Sequence, residues 1–304
     1  MRLMSALAPE PLFLILTAGS KIAVRERLGA VKIVIKRLLS KVVGRRRAQS
    51  LRAFMRNSSI FTQQAEVCEP GGGKIVVLAP HMDDETLGCG GTIARHVKAG
   101  AHVTVIFLTD GRYGGGSYAG MTEPERNRKL EEMISVRKQE ARCAGEILGV
   151  QSLMFLDAED TRLSADRRVP KLLREILGRE QPHCVYLPYF LDQHRDHRAA
   201  NGALLSAVAG TRLEFECRGY EVWTPLFPNC VVKIDVTIES KKRALACYRS
   251  QLADTDYVHA AIGLNAHRSL ALGGKAGRFA EAFHSLPVAD YLRLYRSVRT
   301  SMLT

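Results

Sequence analysis

The stretch LAPHMDDETLGCGG at 78–91 places one histidine, three acids and three glycines directly after an apolar run. His81, Asp83, Asp84 and Glu85 are side chains that bind metal ions or move protons. A second group, DQHRDHR at 192–198, adds His194, Asp196 and His197. Zinc chemistry accounts for this mixture, because a catalytic zinc takes three histidine or carboxylate ligands and keeps a further position open. Calcium or magnesium would call for more oxygen and less imidazole. Neighbouring residues in an extended turn point apart, so Asp84 can bind metal while Asp83 serves as a base. His194 and His197, three apart at a helix start, share one side. One can ligate while the other reaches a substrate, with Asp196 orienting an imidazole from behind.

Each piece also has a plainer reading. A histidine at a strand end is more often a simple hydrogen-bonding residue, and adjacent acids often cap a helix. Gly88, Gly90 and Gly91 permit tight turning or a phosphate cradle, but GCGG lacks the GxGxxG spacing of dinucleotide sites. What favours chemistry is that both clusters follow predicted strands.

Those strands are expected at 74–79, 102–108, 152–156 and 183–187, with helices at 90–99, 123–148, 167–179 and 196–209. Continuous apolar strands separated by helices predict an α/β fold, a Rossmann-like, doubly wound, mostly parallel sheet with helices on both faces. Ligands in such sheets bind beyond the carboxyl ends of the strands, where the strand order reverses. Loops after the second and third strands add TDGRYGGG (109–116) and DAEDTR (157–162). Strand-like runs at 218–223 and 230–235, a helix at 237–252 and a loop-rich tail complete the pattern.

The chain has 304 residues and a net charge of +13, of which residues 1–56 alone carry +11. The body is therefore close to neutral, and EPGGGK at 69–74 marks the expected boundary between an extension (1–70) and a main domain (71–304). GAVKIVIKRLLSKVVGRRRAQSLRAFMR has the pattern of a basic amphipathic helix. Such a helix lies on an anionic membrane or docks on the protein body; with few interleaved aromatics, nucleic acid is disfavoured. PLFLILTAG at 11–19 falls short of a spanning helix and lacks a cleavage pattern. Seven cysteines without regular spacing argue against a disulfide framework and for a reducing cytoplasm. The expected location is cytoplasmic, with peripheral contact at the inner face of a membrane as one reading.

APHMDDETLGCGGTI followed by HRDHRAA resembles the LmbE-like, PIG-L-type N-acetylglucosaminyl deacetylases, and VRKQEARCAGEILGV and KKRALACYRSQL extend the resemblance over roughly 74–285. It implies a zinc-dependent hydrolase that releases acetate from an N-acetylated amino sugar or its glycoconjugate, including a glycolipid. It implies His81, Asp84 and His197 as zinc ligands, Asp83 as general base, His194 as oxyanion or leaving-group partner, and Asp196 as its companion. The family's strand order would set the first and fourth strands side by side. Met82 and Arg195 stand where the family often has proline, which alters loop stiffness. A tyrosine that some relatives carry before the second motif has its nearest counterpart in Tyr189. Arg112 and Arg137 are candidate substrate contacts, with Arg249 and Gln251 as further lining and Tyr113 on a rim. An amidase or esterase on another substrate, or a membrane-associated binding protein, are the competing expectations.

Overall fold

The computed structural model describes residues 65–116, 118–253, 255–272 and 277–302. The basic stretch 1–56 lies outside them. Eight strands form one sheet: β1 (Glu66–Val67), β2 (Gly73–Ala79), β3 (Ala101–Thr109), β4 (Ser152–Ala158), β5 (Cys184–Pro188), β6 (Glu216–Tyr220), β7 (Cys230–Lys233) and β8 (Ala280–Pro287). Their order is β1-β7-β8-β6-β5-β2-β3-β4, and every pairing is parallel except those of β8, which runs against β6 and β7. β1 precedes the boundary expected at 71, so the sheet takes in residues from Glu66 onward.

The helices are α1 (Asp84–Lys98), α2 (Glu123–Leu148), α3 (Arg168–Glu180), α4 (Arg195–Val208), α5 (Ile238–Leu245), α6 (Arg249–Leu252), α7 (Tyr257–Arg268) and α8 (Val288–Met302). Alternation along β2 divides the core between the two faces of the sheet. Val76 and Leu78 join Val169, Leu173, Leu177, Leu204 and Tyr291 of α3, α4 and α8. Ile75, Val77 and Ala79 join Ile93, Ala144, Leu148 and Ile238 of α1, α2 and α5. This is the doubly wound arrangement. The chain runs from β2 through β3 to β4 on one side, then returns to place β5 against the other side of β2. The switch in strand order therefore falls between the two strands that precede the two His/Asp clusters.

Three expectations are corrected. α1 begins at Asp84 rather than at residue 90, with a kink at Cys89, because the acids that follow β2 turn directly into the helix. The helix expected at 237–252 is two, broken between Leu245 and Arg249. The supposed loop-rich tail contains α7, β8 and α8, and β8 fills the space between β6 and β7. The cysteine reading changes as well: Cys68 pairs with Cys230 and Cys143 with Cys247 as disulfides, leaving Cys89, Cys184 and Cys217 free and buried. The partners lie far apart in sequence and meet only through the fold. Cysteine usage thus no longer argues for a reducing compartment. Among the described residues, no helix is long and apolar enough to cross a membrane.

The glycines of GCGG are packing residues. A Cβ on Gly88 would fall 2.1 Å from the Tyr220 ring, and one on Gly91 2.8 Å from Ile234. After the kink, the renewed helix start is held by the buried Glu281 carboxylate, which accepts the Gly91 and Thr92 N–H groups at 2.9 and 2.7 Å. Lys241, also fully buried, donates to Glu281 at 2.6 Å and to the Leu87 carbonyl at 2.8 Å. Lys241→Met leaves a buried carboxylate without its cation. In denaturant titration it is expected to cost about 3–5 kcal/mol, and a loss below about 1 kcal/mol would contradict that.

Candidate metal centre

The loop from Pro80 to Asp83 and the start of α4 converge above the junction of β2 and β5. Asp84 Oδ2 lies 3.2 Å from His81 Nδ1 and 3.2 Å from His197 Nε2, so one buried carboxylate bridges two imidazoles from two loops. It also accepts the His81 backbone N–H at 2.8 Å. Ring nitrogens of His81, His194 and His197 come within 4.8 Å of one another, and so does a set from His81, Asp160 and Asp196. His197 is completely buried, yet neither ring nitrogen makes a well-aligned hydrogen bond, although carboxylates flank both. Such a histidine fits metal ligation better than hydrogen bonding, and the mixed imidazole and carboxylate donor set suits a zinc-like ion.

The electrostatics agree. Burial would lower His197, but the charge of Asp84 and the close carboxylates of Asp192 and Asp84 carry it up to about 9. Burial likewise opposes the charging of His81, yet Asp160, Asp196 and Asp84 raise it well above the ordinary histidine value. Burial would raise Asp84, but His197 and His81 hold its carboxyl far below the usual range. The cage is thus over-supplied with carboxylate and satisfied by positive charge at its centre.

Asp83 faces the same space under different constraints. It has φ 125°, a conformation that costs an L-residue roughly 1–3 kcal/mol and persists only where its surroundings enforce it. Glu85 supplies that enforcement: its carboxylate accepts the Asp83 N–H at 3.1 Å and is itself bound by Tyr248 Oη at 2.5 Å and by Thr86. Burial pushes the Asp83 carboxyl up to about 7, against the pull of Arg137. Arg137 is buried, with its guanidinium 3.4 Å from Asp83 Oδ2 and bonded to the Met82 carbonyl. Of the two candidate substrate arginines it is the buried one, paired with the acid. Arg112 is turned onto Asp110, at 2.8 and 2.5 Å.

His194 caps α4, and its Nδ1 accepts the Asp196 N–H at 3.2 Å, so a neutral ring carries its proton on Nε2. Burial and the charges of His81 and His197 push its pKa down. The Asp196 carboxylate does not turn to His194 as expected. It accepts the Thr161 and Leu163 N–H groups at 2.7 and 3.2 Å and lies 3.4 Å from His81 Nε2, because Thr161, at φ 66°, aims its N–H at it. Tyr189 is buried in the core among Phe190 and His284. Gln251 does reach the loop after β3, donating to the Gly114 carbonyl at 2.6 Å.

Two carboxylates were missed as site residues. Asp192 lies 3.1 Å from His197 Nδ1, and Asp160 lies 3.2 Å from His81 Nε2. Both sit in the acid-rich loops quoted above, but loop sequence carries no sign of which acid turns inward.

The chain matches the family model described as GlcNAc-PI de-N-acetylase, PIG-L, over residues 76–208. It is 30% identical to the diacetylchitobiose deacetylase of Thermococcus kodakarensis over 201 residues, covering 60% of this chain and 71% of that one. The N,N'-diacetylchitobiose deacetylase of Pyrococcus horikoshii superposes with a TM-score of 0.62 at 23% identity, over 80% of this chain and 94% of the other. A 4-oxalmesaconate hydratase of Pseudomonas putida is 29% identical, over 44% of this chain and 52% of that protein.

Asp192→Asn keeps the shape but weakens the brace on His197. Metal affinity, read by competition with a chelator, is expected to fall roughly 10–100-fold; an unchanged affinity would mean Asp192 does not tune the ligand.

Proposed function

The chain belongs to the PIG-L family, and on that premise we propose that it is a metal-dependent N-deacetylase. In this reading it hydrolyses the acetamide of an N-acetylated amino sugar of the N-acetylglucosamine type and releases acetate. The observation that carries it is the Asp84 carboxylate shared between His81 and His197, with Asp83 held strained beside it. His81, Asp84 and His197 would hold the ion, and zinc suits their donor set. When bound, the ion supplies Lewis acidity at the acetamide carbonyl and at the attacking water.

The remaining steps belong to side chains. Asp83, with burial raising its carboxyl into the working range of a general base, takes a proton from water as the oxygen attacks the carbonyl carbon. His194, with Nε2 protonated, donates to the oxygen that gains charge. The C–N bond then breaks, and the proton held on Asp83 passes to the leaving nitrogen, which departs as a neutral amine. Arg137 keeps the Asp83 carboxylate in place, and Asp160, Asp192 and Asp196 fix the imidazoles.

The basic stretch 1–56 forms, in the same proposal, an extension outside the catalytic domain, whose sheet begins at Glu66 rather than after residue 70. The extension touches the inner face of a membrane, where a glycolipid substrate would lie. A second reading, water addition to an unsaturated acid, is favoured by the hydratase among the relatives.

Acetate release separates the two. N-acetylglucosamine conjugates should yield acetate and free amine in a chelator-sensitive reaction. Asp83→Asn should lower kcat by about a hundred- to ten-thousand-fold with metal content intact. No acetate from any N-acetylated sugar, with metal bound, would refute the deacetylase. The full chain should sediment with anionic vesicles and a chain beginning at residue 57, which keeps β1 and Cys68, should not; equal sedimentation would remove the membrane contact.

A further inference from the structure

The loop between β6 and β7, Glu221–Asn229, carries the chain's single tryptophan, and Trp223 is 46% exposed. Exposed apolar surface marks a binding site where it is contiguous rather than single, and the same loop also exposes Phe227. This loop is also stiff. Pro225 and Pro228 fix their own φ angles. Leu226 donates to Glu221 Oε1 at 2.8 Å and its carbonyl accepts from Arg268 at 2.9 Å, with Arg268 also paired to Glu221. The Trp223 and Thr224 N–H groups bond to Asp192 Oδ2 at 3.0 and 3.2 Å, and the Gln193 N–H donates to Thr224 Oγ1 at 3.1 Å. Asp192 is the carboxylate against His197. The backbone that carries the exposed indole is thus one hydrogen bond from the carboxylate that flanks His197, and its loop is held by several such bonds.

Its neighbours extend the surface. The Tyr257 ring packs edge-on against Trp223, with centroids 5.8 Å apart and planes at 79°. Tyr257 opens α7, and α6 just before it reaches Gly114 through Gln251. On that glycine-rich loop Tyr113, 42% exposed, donates its N–H to Asp160 Oδ2 at 3.2 Å, and Asp160 lies against His81. Tyr118 packs edge-on to Tyr113 at 6.3 Å. Two exposed aromatics are therefore mounted alike, each tied by its backbone to a carboxylate behind a site histidine.

We infer that Trp223, braced by Tyr257, is a stacking platform for a second sugar ring, adjoining the ring whose acetamide is cleaved. This rests on the proposed deacetylase reading. A pyranose presents a face of C–H groups bearing slight positive charge, which suits the negative face of an indole, while its hydroxyls stay hydrated at the edge. A ring already held rigid loses little entropy on binding, so the contact favours substrates of two or more rings over a free monosaccharide.

The test compares N-acetylglucosamine with its β-1,4-linked disaccharide, N,N'-diacetylchitobiose, on metal-loaded full-length enzyme. Trp223→Ala keeps the backbone N–H on Asp192. It should lower the ratio of kcat/KM for disaccharide over monosaccharide at least tenfold, mainly through KM of the disaccharide. Trp223→Phe should restore most of that ratio, with metal content equal in all three proteins.

Because Trp223 is the only tryptophan, its fluorescence reports on the platform without turnover. In Asp83→Asn the emission should shift saturably with the disaccharide and far less with the monosaccharide. An unchanged ratio, or emission that ignores the disaccharide, would overturn the platform. So would emission that responds to anionic phospholipid vesicles and not to sugar, which would make Trp223 a membrane contact. If the wild type cleaves neither sugar, the proposed reaction fails, and the fluorescence titration still decides whether Trp223 stacks saccharides.

Discussion

One shared carboxylate organises this molecule. Asp84, at the start of α1, lies between His81, from the turn before it, and His197, from the first turn of α4 more than a hundred residues later. That contact exists only because β2 and β5 are neighbours at the point where strand order reverses. The acids after β2 enter α1 without a spacer, and the glycines behind them let that helix approach Tyr220 and Ile234 closely. Shifting β5 to any other place in the sheet would separate the imidazoles and leave Asp84 a buried, unpaired acid, a costly state.

Around that contact, carboxylates are divided by function. Asp160, Asp192 and Asp196 flank imidazoles, and each carboxylate accepts at least one backbone N–H from an adjacent loop. Glu85 braces the Asp83 backbone, and the Asp83 side chain, paired with Arg137, is the one the proposal gives the proton. Five aspartates and three histidines in one cluster would repel if they titrated alike. Burial and partner choice instead drive Asp83 and Asp84 in opposite directions, the arrangement an acid–base site requires.

Much of this was legible in the residues. β2 and β3 announced themselves as apolar runs, α2 agreed with its expected bounds, and both His/Asp clusters were visible because strand ends place such loops together. The rest depended on contacts between distant segments. β8 reads as tail because its burial comes from insertion between β6 and β7, a tertiary event that local pattern does not encode. The disulfides join cysteines 162 and 104 positions apart. Asp192 and Asp160 looked like ordinary loop acids until packing turned each inward, and Arg137, read as a candidate substrate contact, is buried beside Asp83. Asp196 was expected beside His194, and the αL turn at Thr161 draws its carboxylate towards His81, while its N–H stays on His194.

The most direct measurement is an anomalous difference map, recorded across the zinc edge, from crystals of zinc-loaded protein. One peak within about 2.0–2.2 Å of a ring nitrogen of His81, a ring nitrogen of His197 and an oxygen of Asp84 is expected. An ordered site with intact side chains and no peak there, or a peak held by other residues, would contradict the metal centre on which the chemistry depends.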